Sequence, residues 1–313
     1  MRSLPPKLEI ADVNKMYEVP NLKSVEAQLK QMLHDYNVVT APNRTTWLLR
    51  AVSLIDLTTL SGDDTMSNVT KLCIKAANPL STKVVQKCGL GDTKITTAAV
   101  CVYPNRVADV NFTLNRMNMS TEIKIASVAT GFPSGLYPLK TRLDEIKHAI
   151  AFGANEIDVV LDRSLVLMGR WQQLYDEIRS MCTACSNMAK IKVILGVGEL
   201  GTYENVYKAS MVSMMAGADF IKTSTGKETV NATLPIGLVM CRAIRHYYLS
   251  TGIKVGLKPA GGIKTVEDTI NWMLLVRSEL GSEWLTPELF RIGASSLLAV
   301  IEQYLLENGT RIN

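Results

Sequence analysis

Lys222 closes a short apolar run, Ala218-Asp219-Phe220-Ile221-Lys222, and is followed by Thr223-Ser224-Thr225-Gly226-Lys227. An ammonium next to a Phe-Ile pair is costly to bury without a partner. Alone, such a lysine reads as a strand-end side chain that reaches solvent. A second lysine in similar company, Leu257-Lys258-Pro259-Ala260-Gly261-Gly262, changes that reading. Two strand-end lysines, each ahead of a glycine turn, point to a site. Asp158 lies among Ile157, Val159 and Val160, where a carboxylate must be paired or functional. Lysines close together disfavour each other's charge, so each lowers the other's pKa. A neutral amine attacks carbonyls and forms a Schiff base. The chemistry expected is Lys222 as nucleophile, Lys258 as the neighbouring cation and Asp158 handling protons. Lys227 adds positive charge nearby or meets an anion. A structural ion pair of Asp158 with one lysine is the competing reading.

Such side chains need rigid elements to aim them. From Trp47 onward, eight apolar runs alternate with helical stretches: Ala51–Leu57, Thr97–Tyr103, Ile123–Thr130, Glu156–Leu161, Ile191–Val197, Asp219–Lys222, Lys254–Lys258 and Leu289–Gly293. They are rich in Val and Ile and do not alternate strictly, as expected of parallel strands buried on both faces. Thr265–Leu280 shows helical periodicity, with Val266, Ile270, Met273 and Leu274 on one face. Phe152-Gly153-Ala154 and Ala216-Gly217-Ala218 repeat one joint, a helix ending at glycine with a strand directly after it. Eight βα units in about 250 residues predict a TIM (β/α)8 barrel, with a doubly wound open sheet as the runner-up. Residues 1–45 read as an N-terminal extension with a helix over Asn21–Tyr36, broken at Pro42-Asn43, and residues 46–313 as the barrel.

In a barrel the site lies at the C-terminal strand ends. Those ends offer Asp56 and Thr58, Cys101 and Tyr103, Thr130-Gly131, Asp158, Glu199, Lys222, Lys258 and Gly293-Ala294-Ser295-Ser296. Gly261-Gly262 permits close approach of backbone N–H groups, and Ser295 and Ser296 open the last helix, whose N-terminus attracts anions. Together they point to a phosphate, against the plainer reading of a turn and an N-cap.

Composition excludes several other classes. The 34 basic and 29 acidic residues give a net charge of +5 with no block of like charge, which argues against a nucleic-acid surface and suits a small anionic substrate. No apolar run approaches a membrane span, and Met1–Pro6 lacks the apolar core of a signal peptide, so a cytoplasmic protein is expected. Of six cysteines, Cys182 and Cys185 form a lone CxxC on a helical stretch, read as core residues in a reducing compartment. Gly196-Val197-Gly198-Glu199-Leu200-Gly201 matches a dinucleotide fingerprint. Its candidate ribose partner, Asp219, begins a strand instead of ending one, so no nucleotide is expected there. Gly226-Lys227 is not a P-loop, because Glu228 follows the lysine. His34, His148 and His246 all fall on helical stretches, so no catalytic metal is expected.

Five segments, Phe220–Lys227, Lys258–Gly262, Glu156–Val160, Asp56–Leu60 and Gly293–Leu297, resemble deoxyribose-phosphate aldolase, in order, over about Trp47 to Leu306. The chain looks most like the animal branch of that family. The resemblance implies a class I aldolase, free of metal or organic cofactor, that cleaves 2-deoxy-D-ribose 5-phosphate reversibly to D-glyceraldehyde 3-phosphate and acetaldehyde in deoxyribonucleotide catabolism. It matches Lys222 to the Schiff-base lysine, Lys258 to the lysine that perturbs it and Asp158 to the acid/base aspartate. It matches Gly226, Gly261, Gly262, Ser295 and Ser296 to phosphate-binding positions. Asp56 and Thr58 correspond to substrate-hydroxyl and relay positions, and Cys101 to a cysteine near the site. Thr223 and Lys227 are counted with the substrate-binding positions. Lys264 stands where bacterial members often carry arginine, which keeps the charge without the bidentate geometry. Some members end in a tyrosine tail, whereas this chain ends Gly309-Thr310-Arg311-Ile312-Asn313. Expected partners are a small phosphorylated sugar, neither nucleic acid nor membrane, and a second copy in a homodimer. The rival function is a non-catalytic phosphosugar-binding barrel.

Overall fold

In these strands one face carries mainly large aliphatic residues, and the other mixes small, aliphatic, aromatic and charged ones. The computed structural model describes residue 13, residues 22–35 and residues 41–312. Its eight strands are β1 (Ile55–Thr58), β2 (Ala99–Val102), β3 (Lys124–Ala129), β4 (Glu156–Val160), β5 (Lys190–Ile194), β6 (Phe220–Lys222), β7 (Gly256–Lys258) and β8 (Ile292–Ala294). All pair in parallel in the order β7-β6-β5-β4-β3-β2-β1-β8. The ring closes through bridges of Leu257 with Phe290 and Ala260 with Gly293, and Gly293 N–H donates to Pro259 O at 2.9 Å. This is the expected TIM barrel.

The helices among the described residues are α1 (Leu22–Asp35), α2 (Ala41–Ser53), α3 (Met66–Ala77), α4 (Thr82–Cys88), α5 (Val107–Arg116), α6 (Leu139–Ala151), α7 (Arg163–Leu167), α8 (Trp171–Cys185), α9 (Tyr203–Met215), α10 (Leu234–Thr251), α11 (Val266–Leu280) and α12 (Leu297–Asn308). None of them is long and apolar enough to cross a membrane. Helix α11 begins at a capping box: Thr265 accepts from Asp268 N–H, and Asp268 accepts from Thr265 N–H, both at 3.0 Å. The repeated joint is present, with Gly153 at φ 111° and Gly217 at φ 107°, a region that favours glycine.

Two boundaries differ from the sequence reading. Pro42-Asn43 does not break a helix but lies in the first turn of α2, where proline's missing N–H has no intrahelical acceptor to lose. Helix α2 therefore spans the expected division between residues 45 and 46, and Ala51–Ser53 are its last turn instead of the start of β1. Val25, Leu29 and Met32 of α1 are buried, and α1 packs on α10 and α11. Residues 1–12, 14–21 and 36–40 of the expected extension, including Asn21 and Tyr36, lie outside the described residues.

The sheet separates two kinds of packing. Its outward side chains, including Val100, Ile125, Ile157, Val159, Ile191, Val193, Ile221 and Leu257, join the large core under the helices. Inside the barrel, Ala99, Cys101, Ala126, Val128, Phe132, Val160 and Ile194 form a smaller cluster. On β4, Glu156 and Asp158 share the inward face with Val160, as the two-residue period of a strand requires. Lower in the barrel Phe220 is fully buried, with Lys192 Nζ 5.9 Å and the Arg291 guanidinium 5.7 Å from its ring centroid. Gly256 makes room for that ring, since a Cβ there would lie 2.3 Å from it. The chain's end runs along the base of the barrel. Thr310 N–H donates to Thr45 Oγ1, Ile312 N–H donates to Cys88 O, and Ile312 lines a cleft formed by the turns that precede β2, β3 and β8.

Replacing Gly256 with alanine pushes Phe220 off its seat. The expected outcome is a loss of about 1–3 kcal/mol of stability, read as a lower urea midpoint at unchanged slope. An unchanged midpoint would contradict the packing described for β6 and β7.

Candidate active site

Strand register brings the charged residues face to face. Asp158 lies opposite Lys192, and Lys222 opposite Lys258. Lys222 Nζ donates to Asp158 Oδ2 at 2.8 Å, and Lys258 Nζ donates to the same oxygen at 2.7 Å. Lys258 Nζ also meets Asp56 Oδ2 at 2.5 Å. The sequence-predicted trio of Lys222, Lys258 and Asp158 therefore shares one carboxylate oxygen. Asp158 Oδ1 is 3.3 Å from Lys192 Nζ.

Beneath the trio lies a further buried set. Lys192 Nζ contacts Glu156 Oε2 at 2.5 Å and Asp56 Oδ2 at 3.1 Å. Arg291 spans Asp56 Oδ1 at 2.6 Å and Glu156 Oε1 at 2.7 Å. Sequence reasoning did not single out Lys192, Glu156 or Arg291. A detectable signal was present for Lys192: it sits between Ile191 and Val193, the same anomaly that marks Asp158.

Electrostatics divides these groups. Burial pushes Asp56, Glu156 and Asp158 towards the neutral form, but the facing cations outweigh it and hold all three below the ordinary carboxylate range. Burial opposes charge on Lys192, Lys258 and Arg291, yet each faces two or more carboxylates and is raised. Lys222 differs. Burial, then the like charge of Lys258, outweighs its single carboxylate partner and lowers its pKa. Mutual lowering of both lysines was expected. Lys258 departs from that because Asp158 and Asp56 both hold it charged. Burial pushes the Cys101 thiol upward, so it stays neutral.

A cleft of about 280 Å³ opens over Lys222 at the C-terminal strand ends. Thr58, Gly226, Lys227, Gly261, Gly262, Ser295 and Ser296 line it, joined by Leu60 and Lys264. Gly226, Gly261 and Gly262 have φ of 85°, 78° and 87°, and a Cβ at Gly261 would strike Asn231. Lys227 Nζ donates to Leu60 O at 3.3 Å. Ser296 is the N-cap of α12.

Three of the expected residues do not line the cleft. Asp56 is fully buried, with its oxygens engaged by Lys258, Lys192 and Arg291. Thr223 is buried and ties the β6 and β7 loops together, accepting from Ala260 N–H at 3.0 Å. Cys101 does not line the cleft, but its buried thiol lies beside the trio, close enough to Lys222, Lys258 and Asp158 to feel their charges. The Gly196–Gly201 fingerprint forms a 3-10 turn, and Asp219 accepts from Ile191 N–H at the opposite end of the barrel. A larger cleft of about 740 Å³ lies between Tyr103, Phe132 and α6 and contains none of the lysines.

Residues 50–302 match the family model described as DeoC/LacD family aldolase. The chain is 58% identical to deoxyribose-phosphate aldolase of Mus musculus over 264 residues, covering 84% of this chain and 82% of that protein. The figures for the Homo sapiens deoxyribose-phosphate aldolase are the same. In fold it is similar to the tetrameric deoxyribose phosphate aldolase of Aeropyrum pernix, with a TM-score of 0.63 at 23% identity, covering 91% of this chain and 98% of that one.

The depressed carboxylates fix an acid limit on stability. In the unfolded chain Asp56 and Asp158 titrate near 3.8 and Glu156 near 4.5, and in the fold all three titrate lower. Their stabilisation is complete above those unfolded values and is lost as pH falls through the folded ones. Urea midpoints should therefore drop steeply below about pH 4.5. A flat profile down to pH 3 would contradict the ion network.

Proposed function

The chain belongs to the DeoC/LacD aldolase family, and from that premise we propose a class I aldolase that cleaves 2-deoxy-D-ribose 5-phosphate reversibly to D-glyceraldehyde 3-phosphate and acetaldehyde. One observation carries this reading: Lys222 Nζ lies at the floor of the cleft, bonded to a carboxylate oxygen that it shares with Lys258, in a setting that favours the free amine.

Lys222 attacks C1 of the open-chain sugar, and loss of water leaves an imine. The protonated imine draws electrons from the C2–C3 bond. Asp158, ionised between its lysines, takes the C3 hydroxyl proton through water as that bond breaks. Glyceraldehyde 3-phosphate departs, and the enamine is protonated at C2. Hydrolysis then releases acetaldehyde and the amine. Lys258 stays charged beside the reacting nitrogen and disfavours its protonation. Gly261 and Gly262, with Ser295, Ser296, Lys227 and Lys264, form a setting suited to the phosphate, and Gly226 lines it with its N–H donated to Glu228 Oε2 at 3.2 Å. Binding energy from that remote group orients the bond that breaks. Thr58 lines the cleft and suits a sugar hydroxyl, while Asp56 contributes by holding Lys258.

The wider reading is a cytoplasmic enzyme of deoxyribose phosphate catabolism, with residues 46–313 as the catalytic unit, residues 1–45 as an extension, and a homodimeric assembly.

Incubation with 2-deoxyribose 5-phosphate should yield both aldehydes equally well with and without a chelator. Acetaldehyde with cyanoborohydride should add mass at Lys222. Absence of that adduct would leave the non-catalytic binding barrel as the reading. Lys222→Arg should lower turnover by at least about 10³-fold while keeping the fold. Lys258→Leu removes a facing cation, so the acid limb of the pH profile should move upward, and an unmoved limb would refute the role given to Lys258.

A further inference from the structure

The buried layer is out of electrical balance. Among the described residues it holds four basic groups, Lys192, Lys222, Lys258 and Arg291, against three carboxylates, Asp56, Glu156 and Asp158. All seven residues are at most 3% exposed, so water compensates little of the excess. The excess is one positive charge, and it disappears if a single amine releases its proton. Which amine does so follows from contacts. Lys192 faces three carboxylates, and Lys258 and Arg291 face two each. Lys222 has one, and its Asp158 oxygen is shared.

We propose that Lys192 is a positioning residue of the aldolase site: by supplying the cation that leaves the layer one charge in excess, and by engaging Asp158 Oδ1, it keeps Lys222 a free amine. The inference rests on the reading of Lys222 as the Schiff-base lysine. The groups facing Lys222 are Asp158 on β4, Lys258 on β7 and the neutral Cys101 thiol on β2. Lys192 on β5 and Asp56 on β1 act on it through Asp158 and Lys258. Lys192 lies too far down the barrel to line the cleft, so it does not touch substrate. With Lys192 neutral, three cations face three carboxylates, and Lys222 completes the balance only when protonated.

The test is acetaldehyde trapping at Lys222 with cyanoborohydride, measured as rate against pH for the full chain. Lys192→Met should move the acid limb up by about one pH unit, roughly a tenfold loss of rate at a fixed pH below it. Lys192→Arg keeps the charge and should leave the limb at its wild-type position. Because the single methionine variant strips Asp158 of a partner, the double variant Lys192→Met with Glu156→Gln provides a second reading. It restores an excess of one charge, three cations against two carboxylates, and should return the limb towards wild type. A limb unmoved in the methionine variant, or equally displaced in the arginine and double variants, overturns the proposal while wild-type trapping still supports the aldolase reading. No trapping in the wild type overturns both.

Discussion

A single carboxylate oxygen, Asp158 Oδ2, accepts from two lysine ammonium positions inside a barrel that excludes water. Every other arrangement at the site answers to that crowding. Bringing an ion out of water opposes folding by several kcal/mol, and close pairing offsets this only where the geometry is good. Lys258 has that geometry twice, through Asp158 and Asp56, and stays charged. Lys222 has it once, at the end where the barrel opens, and holds its proton less firmly than a lysine in water. The unequal division of partners between two similar side chains turns a structural ion cluster into a setting suited to a nucleophile.

The barrel makes the division possible because its sheet is parallel and covered on both faces. Aliphatic side chains point out to the helices and supply the apolar burial, which leaves the inner face free to carry seven ionisable groups without weakening the core. Register fixes which groups meet. A slip of one residue on β4 would turn Asp158 outward into aliphatic packing and bring Ile157 against the lysines. Thr223 and Ala260 exchange hydrogen bonds between the loops after β6 and β7, which fixes the two lysine-bearing ends relative to each other. Gly226, Gly261 and Gly262 at the mouth take positive φ, which glycine adopts without strain, and so shape the loops around the cleft.

Much of this was legible in the residues. Eight Val- and Ile-rich runs separated by helical periods specify the barrel, because parallel strands buried on both faces have few other sequence solutions. Lys222, Lys258 and Asp158 stood out as charges in apolar company. Lys192 carries the same signature mid-strand, as Asp158 does, but Lys190 precedes it, so the run Lys190-Ile191-Lys192-Val193 reads as an alternating strand with a solvated face. Glu156 and Arg291 begin or precede their strands, positions that read as solvent-facing until closure of the ring turns them inward. Asp56 was legible as a strand-end carboxylate, but its partners come from β5, β7 and β8, and only the closed ring brings those together. The start of α2 was misread because proline acts as a breaker within a helix yet fits its first turn.

The segment Thr310–Ile312 is held against Thr45 and Cys88 at the base, across the full height of the barrel from Lys222. A bead, polymer or fused domain joined beyond Ile312 would therefore anchor the molecule by its underside. The entrance would be left facing open solution, an orientation suited to immobilisation without obstructing passage of small aldehydes.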